Sequence, residues 1–331
     1  MIILGIETSC DETSAAVLDN NKVISNIVRT QSIHTSFGGV VPSLASKDHE
    51  KSISSIVKAS IEESNISISD IDLIAVTYGS GLLGSLIVGL NFAKGLSVGL
   101  GIPLVAVSHL KGHLFSSLLN KESFIYPSIS LIVSGGHTQL WLLKDENNFE
   151  VIGNTVDDAA GEAFDKGARI LGLNYPGGPE IEKISKNGNP KKYKFTIPEV
   201  KNNKMNFSFS GLKTSLLYKK NELDEIGKYS INDLAASYQH AIVYTLFNKL
   251  ERAINLYKIY NISIVGGVSA NLYFRESSKE LIKKYKLNLI FPNMEYCTDN
   301  AAMIAMAGYL KYKNNKSSNI DIEPNPNIIY K

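Results

Sequence analysis

Short apolar runs separated by polar turns open the chain. Residues 2–6 are apolar, 8–14 polar, 15–18 apolar again; an Asp-Asn-Asn turn follows at 19–21 and a third run at 23–28. This spacing predicts three strands joined by turns. The same order returns from Ile129: Ile129–Val133, then Ser134-Gly135-Gly136-His137, Gln139–Leu143, an Asp-Glu-Asn-Asn turn at 145–148, and Phe149–Ile152. An offset of about 126 residues is too long for a solenoid repeat and suits a duplicated domain.

Between and after these echoes, helical periodicity covers 48–64, 157–171, 231–256, 275–286 and 299–310, and a Gly-interrupted apolar helix is predicted over 84–99. Residues 71–76, 103–107 and 262–265 read as short buried strands. Strands alternating with helices argue an α/β fold, read here as two related halves with a cleft between them. The Lys/Asn/Ser/Pro-rich tail, 311–331, is expected to be loosely held.

At 331 residues, 44% hydrophobic and 20% charged, the chain has the length of two domains and an ordinary globular composition. Its net charge of +2 by itself marks neither a strongly basic nucleic-acid binder nor an acidic tail, but the distribution is uneven. Residues 1–80 hold five Lys/Arg against ten Asp/Glu, whereas 181–228 hold eleven against five. A polyanion should therefore meet the later segment. Two cysteines, Cys10 and Cys297, are too few for a disulfide framework. The N-terminus reaches Glu7 before a signal-peptide core forms, and the apolar stretch 81–93 is cut by Lys94, so a soluble cytoplasmic protein with no membrane contact is expected.

Several residues carry candidate chemistry. The Gly-Gly turns at Val133–His137 and Val265–Asn271 each follow an apolar strand, where open amides can cradle a phosphate. His109 and His113 are four apart, so on a helix both imidazoles share a face and can bind one metal. Leu110 follows His109 where a zinc protease has its general-base Glu. Asp299 is a candidate third ligand, with helix capping as its plain alternative. The turn Glu7–Ser14 crowds three carboxylates and four hydroxyls, with Asp11 and Glu12 as candidate catalytic groups. Asp157 and Asp158 suit the first turn of a helix, while Asp165 lies deeper and could take a ribose or an ammonium group. Tyr193, Phe195, Phe207, Phe209 and Tyr218 among the lysines of 183–220 fit either RNA contact or core.

Together, Gly5–Thr13, the His109/His113 pair, Val133–Gln139, Asp158–Lys166, Ser208–Lys213, Gly266–Asn271 and Thr298–Ala302 resemble the bacterial tRNA N6-adenosine threonylcarbamoyltransferases (TsaD), formerly described as O-sialoglycoprotein endopeptidases. The likeness runs from residue 3 to about 310. It departs at Ser43 and Lys47, where relatives usually have Glu and Arg, and at Gly79-Ser80-Gly81, where they usually have Gly-Pro-Gly.

The resemblance implies an actin-like/sugar-kinase (ASKHA) fold of two duplicated ribonuclease-H-like subdomains around a nucleotide cleft: 1–127 plus 299–331, and 128–298, the second holding the basic segment 181–228. It implies transfer of threonylcarbamoyl from threonylcarbamoyl-AMP to N6 of the tRNA adenosine beside the anticodon, in tRNAs reading codons that begin with A. By the same resemblance, His109, His113 and Asp299 hold one metal, iron(II) in the family, with zinc suited to the ligands. Val133, Ser134, Gly135, Gly136, His137, Asp165, Gly178 and Asn271 form the adenylate site. Implied partners are a TsaB-like paralogue, a TsaE-like ATPase and the enzyme that makes the adenylate. A metalloprotease, an ATPase on the same fold and a non-catalytic scaffold are the competing classes.

Overall fold

The computed structural model describes residues 1–119, 125–145, 148–200, 203–314, 317–328 and 330. Residues 146 and 147 of the second expected turn, 201 and 202 of the basic segment, and 315, 316, 329 and 331 of the tail lie outside this set. The chain divides into two compact units, Met1–Phe124 with Pro292–Tyr330, and Ile125–Phe291. The first unit takes up the chain from Pro292, earlier than the expected boundary at 299.

In the first unit, β1 (Ile2–Glu7), β2 (Glu12–Asp19) and β3 (Lys22–Thr30) form an antiparallel meander, followed by α1 (Pro42–Ser64), β4 (Leu73–Gly79), α2 (Leu83–Leu100), β5 (Leu104–Ser108) and α3 (His109–Ser116). The sheet order is β3-β2-β1-β4-β5, with β4 parallel to β1 and β5 parallel to β4. β1 is buried along nearly its whole length, which is why it reads as a continuous apolar run. The helix expected from Asp48 begins at Pro42, which occupies the first turn, where a missing N–H costs nothing.

The second unit repeats the plan. Its strands are β6 (Ser128–Val133), β7 (Thr138–Leu143), β8 (Phe149–Asn154), β9 (Asn261–Val265) and β10 (Asn288–Ile290), ordered β10-β9-β6-β7-β8. Pairing β1 with β6, β2 with β7 and so on to β10 reproduces the connectivity strand for strand, with the same parallel and antiparallel partners. Between β8 and β9 lie α4 (Ala160–Ile170), α5 (Gly177–Ser185), α6 (Ser210–Ile226) and α7 (Ile231–Tyr257); α8 (Leu272–Tyr285) links β9 to β10. The helix α9 (Ala301–Lys313) belongs to the first unit, packed on β1, β2 and β4.

Three sequence expectations are corrected. The helix expected from Asp157 starts at Ala160, because Asp157 turns away to accept bonds from the Phe209 and Ser210 amides and the Ser208 and Ser210 hydroxyls. Asp157 thereby caps α6 from outside. The apolar stretch does not stop at Lys94: α2 runs through it, and among the described residues this 18-residue helix alone has the length and mean hydropathy, 1.4, to cross a membrane. It packs on β4 and α1 as a layer over the first sheet.

The tail, thirdly, is tied down. Ser318 N–H donates to Leu104 O and Ala106 N–H to Ser318 Oγ, both at 2.9 Å; Asn325 N–H donates to Tyr78 O at 2.7 Å. Ser80 N–H donates in turn to Asn325 O at 3.1 Å, with Ser80 at φ +55°. Neither the bond nor the dihedral is open to proline. Ser80→Pro should destabilise the protein by about 3 kcal/mol, seen as a lower urea midpoint at unchanged slope. Wild-type stability in that variant would contradict this account of the loop.

Candidate metal and nucleotide sites

In the first unit, β5 ends at Ser108 and α3 starts at once with His109, so the carboxyl end of a central strand delivers both histidines on one helical turn. The rings are 4.7 Å apart between centroids and nearly perpendicular, at 82°. Asp299 reaches them from the residue pair preceding α9, its Oδ1 3.0 Å from His113 Nε2 and 3.5 Å from His109 Nε2. The three ligand atoms lie within 4.8 Å of one another. Asn300, not Asp299, caps α9, its Oδ1 accepting from Met303 N–H at 3.1 Å. Further anchors are Ala301 N–H on Ser14 Oγ and Ala302 N–H on Asn26 Oδ1, which pin the start of α9 to β2 and β3.

Behind His109 stands Glu7, which the sequence offered only as one of three carboxylates crowded in the turn. It is 1% exposed. Its Oε2 lies 3.2 Å from His109 Nδ1 and accepts Thr77 Oγ1–H at 2.6 Å, while Oε1 accepts Ser9 N–H at 2.5 Å. Ser9 Oγ is a second neighbour of His109 Nδ1, at 3.0 Å. These contacts fix the ring with Nε2 turned toward Asp299, the arrangement of an orienting partner behind a metal ligand. Burial alone would lift the Glu7 carboxyl, but His109 and the Thr77 hydroxyl outweigh it and hold the carboxyl below its ordinary range. Burial opposes the His109 imidazolium; Asp299 and Glu7 overcome it and raise the group to about 9. The geometry and donor set fit a divalent cation held by two imidazoles and one carboxylate.

The acidic turn is clamped through its carbonyls. Ser9 O accepts Leu82 N–H at 2.8 Å, Cys10 O accepts His49 Nε2–H at 3.0 Å, and Asp11 O accepts Gln31 N–H at 3.0 Å. Glu12 lies in the electrostatic field of Asp299. Glu12 is pushed well above the ordinary carboxylate range by burial, then by Asp299, Asp11 and Glu7. The Cys10 thiol is driven up by burial, Asp11, Asp299 and Glu12, so it stays protonated and is no nucleophile.

In the second unit, β6 and β9 are parallel neighbours, and both Gly-Gly turns leave their carboxyl ends, the place where α/β sheets bind ligands. The Val133–His137 turn closes on itself through Ser134 N–H to His137 O, 2.8 Å, and Ser134 O accepts Gly161 N–H at the start of α4. Gly266, at φ +93°, packs so close that a Cβ would stand 2.5 Å from Val133 O. Gly135 and Gly136 are exposed and face open space. Asp165 Oδ1 accepts Gly177 N–H at 2.7 Å and the carboxylate also takes the Gly178 amide, which joins α4 to the start of α5. Asn271 is buried, caps α8 through Phe274 N–H, and donates Nδ2–H to Gln239 Oε1 at 2.8 Å. Gln239 in turn lines a cavity of about 330 Å³ with Glu182, Lys186, Tyr273 and Glu276. The sequence reading missed that cavity because α5 went unrecognised.

The aromatics of the basic segment divide. Phe207 and Phe209 are fully buried and stacked, with centroids 6.2 Å apart, Tyr193 and Phe195 pack partly buried against the core, and Tyr218 is 70% exposed.

A family model described as tRNA N6-adenosine threonylcarbamoyltransferase matches residues 22–306. Relatives of that name from Thermosipho africanus and Thermosipho melanesiensis are 51% and 49% identical, each aligned over 99% of this chain and over 99% and 100% of their own length. Among solved structures, HypF from T. kodakarensis superposes on 95% of the chain with a TM-score of 0.63 at 15% identity, using 48% of its own length. The activator of 2-hydroxyisocaproyl-CoA dehydratase from Clostridium difficile covers 97% of this chain and all of its own, with a TM-score of 0.53 at 15% identity. These distant likenesses establish the ASKHA-type fold alone.

Proposed function

Because the chain belongs to the tRNA N6-adenosine threonylcarbamoyltransferase family, we propose that it carries threonylcarbamoyl from threonylcarbamoyl-AMP directly to N6 of the adenosine beside the anticodon, in tRNAs reading codons that begin with A. The transferase activity toward a tRNA adenosine follows from membership; the donor, the target position and the residue roles are the proposal. The observation that carries them is the convergence of His109 Nε2, His113 Nε2 and Asp299 Oδ1 on one point.

A divalent cation held there, iron(II) or zinc by its ligands, would supply Lewis-acid polarisation of the carbamoyl carbonyl. Glu7 keeps His109 aimed. In the transfer the C–N6 bond forms, the bond from the carbamoyl group to the AMP phosphate breaks, and AMP leaves with the electron pair. The proton lost by the amine goes to Glu12, which stands beside Asp11 in the turn, in the role of general base. Open amides at Gly135 and Gly136, within Val133–His137, take the phosphate. Asp165 and Gly178 take the ribose, and Asn271, through Gln239, borders the cavity for the rest of the adenylate. A TsaB-like paralogue and a TsaE-like ATPase are the partners in this reading, and the cytoplasm its compartment.

The test is transfer of radiolabelled threonine, with partners and adenylate-forming enzyme supplied, into an anticodon stem-loop carrying the target adenosine or a guanosine in its place. Label should enter the first RNA only, and Glu12→Gln should slow it by about 10²- to 10⁴-fold. Undiminished turnover in Glu12→Gln would remove the base role. A wild-type protein that binds metal but labels neither RNA would point to an ATPase on the same fold.

A further inference from the structure

The surplus of lysine between 181 and 228 is not spread evenly once ion pairs are placed. On α6, Lys219 pairs with Glu222 and Lys220 with Asp224, both at 2.6 Å, so that stretch is neutralised within its own helix. Lys183, Lys186, Lys191, Lys192 and Lys194 are all exposed, and no carboxylate pairs with any of them among the described residues. The uncompensated charge is therefore concentrated in twelve residues, 183–194.

This stretch is also held in shape. After α5 ends, Asp233 Oδ1 accepts Asn189 N–H at 2.7 Å, Ser237 Oγ donates to Asn189 O and accepts Tyr193 N–H, both at 3.1 Å, and Asn189 Oδ1 accepts Lys191 N–H at 2.9 Å. A side of α7 thus grips the loop by its backbone, while the alternate lysine side chains stay in solvent. One turn further along α7, His240 bonds Tyr273 through Nδ1 at 2.7 Å and leans on Tyr244, which is 51% exposed. Tyr273, the partner of His240, lines the same cavity as Lys186, Gly188 and Pro190, so the loop and this aromatic group are neighbours.

We propose that the 183–194 loop and the Tyr244 ring form a contact surface for the tRNA backbone, with phosphates on the lysines and one unpaired base on Tyr244. The assignment rests on the transferase reading above, and it locates the RNA on α5, the following loop and α7 instead of on α6. A polyanion gains most from cations that have no partner to give up and no loop entropy to lose. An exposed tyrosine beside them supplies a face on which any base can stack.

The test is the salt dependence of binding of a full-length tRNA transcript, by fluorescence anisotropy, to the whole protein. Lys191→Gln/Lys192→Gln/Lys194→Gln should reduce the slope of log Kd against log salt by about 2 to 3 and weaken binding roughly 100-fold at 0.15 M salt. Tyr244→Ala should weaken it about tenfold with the slope unchanged. Lys219→Gln/Lys220→Gln should leave both quantities at wild-type values. An unchanged urea midpoint in each variant confirms the fold. Wild-type slope in the triple variant, or loss instead in the α6 variant, overturns the surface, as does a triple variant that keeps tRNA but loses a protein partner. Failure of wild type itself to bind tRNA in a salt-dependent way would instead count against the transferase reading.

Discussion

Asp299→Ala should leave a folded protein that no longer retains its metal and no longer transfers. The residue lies at the mouth of α9 but does not hold the helix: Asn300 caps it, and Ser14 Oγ and Asn26 Oδ1 anchor the next two amides. Melting in the presence of chelator should therefore stay close to wild type. Two buried imidazoles remain, at 5% and 0% exposure, without the carboxylate that completes the ligand set. Loss of an orienting partner costs roughly 10- to 100-fold in affinity, so loss of a direct ligand should exceed about 100-fold. Metal content after dialysis is the direct measurement, and stoichiometric metal in the variant would mean that the ligands are elsewhere.

Glu7→Gln is expected to damage both the fold and the site. All the groups around this carboxylate are donors or donor-capable: Ser9 N–H, Thr77 O–H and His109 Nδ1–H. A glutamine offers one oxygen and turns an NH₂ toward a donor in a closed space. Breaking such a buried charge pair costs about 3 to 5 kcal/mol, and the freed imidazole ring should lower metal affinity by roughly 10- to 100-fold.

The sign of the pH dependence can be worked out for the metal-free protein. Glu7 has a lowered pKa, so its contribution is complete above the ordinary carboxylate range and fades as pH falls through its folded value. His109 is raised to about 9, so its contribution is complete below about 6.5 and fades as pH climbs through 9. The stability gap between wild type and Glu7→Gln should be widest near pH 6 and narrow on both sides. A gap that does not vary with pH would show that the lost interaction is not ionic.

The strands were legible because each sheet buries both faces of its central members, so β1, β4, β6 and β9 appear as short, mainly apolar runs with only small polar residues between. The duplication was visible for the same reason. The sheet-edge strand β10, three residues long and only partly buried, leaves no such signature. Both α5 and α6 escaped notice because their N-cap residues, Pro176 and Phe209, have no capping side chain and their starts are capped from elsewhere in the chain, by Asp165 and Asp157. The histidine pair could be read from its spacing, and Asp299 from the motif it sits in. Glu7 could not: its place in a strand of buried residues makes it the orienting partner of His109, and burial of one acid among three is a tertiary fact. The tail looked loose by composition, yet backbone bonds to Tyr78, Ser80 and Leu104 hold it, and composition carries no information about those.

The interleaving of the first unit sets an order of events during synthesis. Ser14 waits for Ala301, and β4 and β5 wait for Asn325 and Ser318, so residues far beyond the second unit must leave the ribosome before the first unit can close. The second unit, continuous from Ile125 to Phe291, has all its residues in hand well before then. A nascent chain should thus present one finished half and one open half, the latter with apolar β1 and β4 uncovered by α9. Asp299 follows the whole of the second unit in synthesis, so the His109/His113 pair waits for its third candidate ligand until that unit has been made.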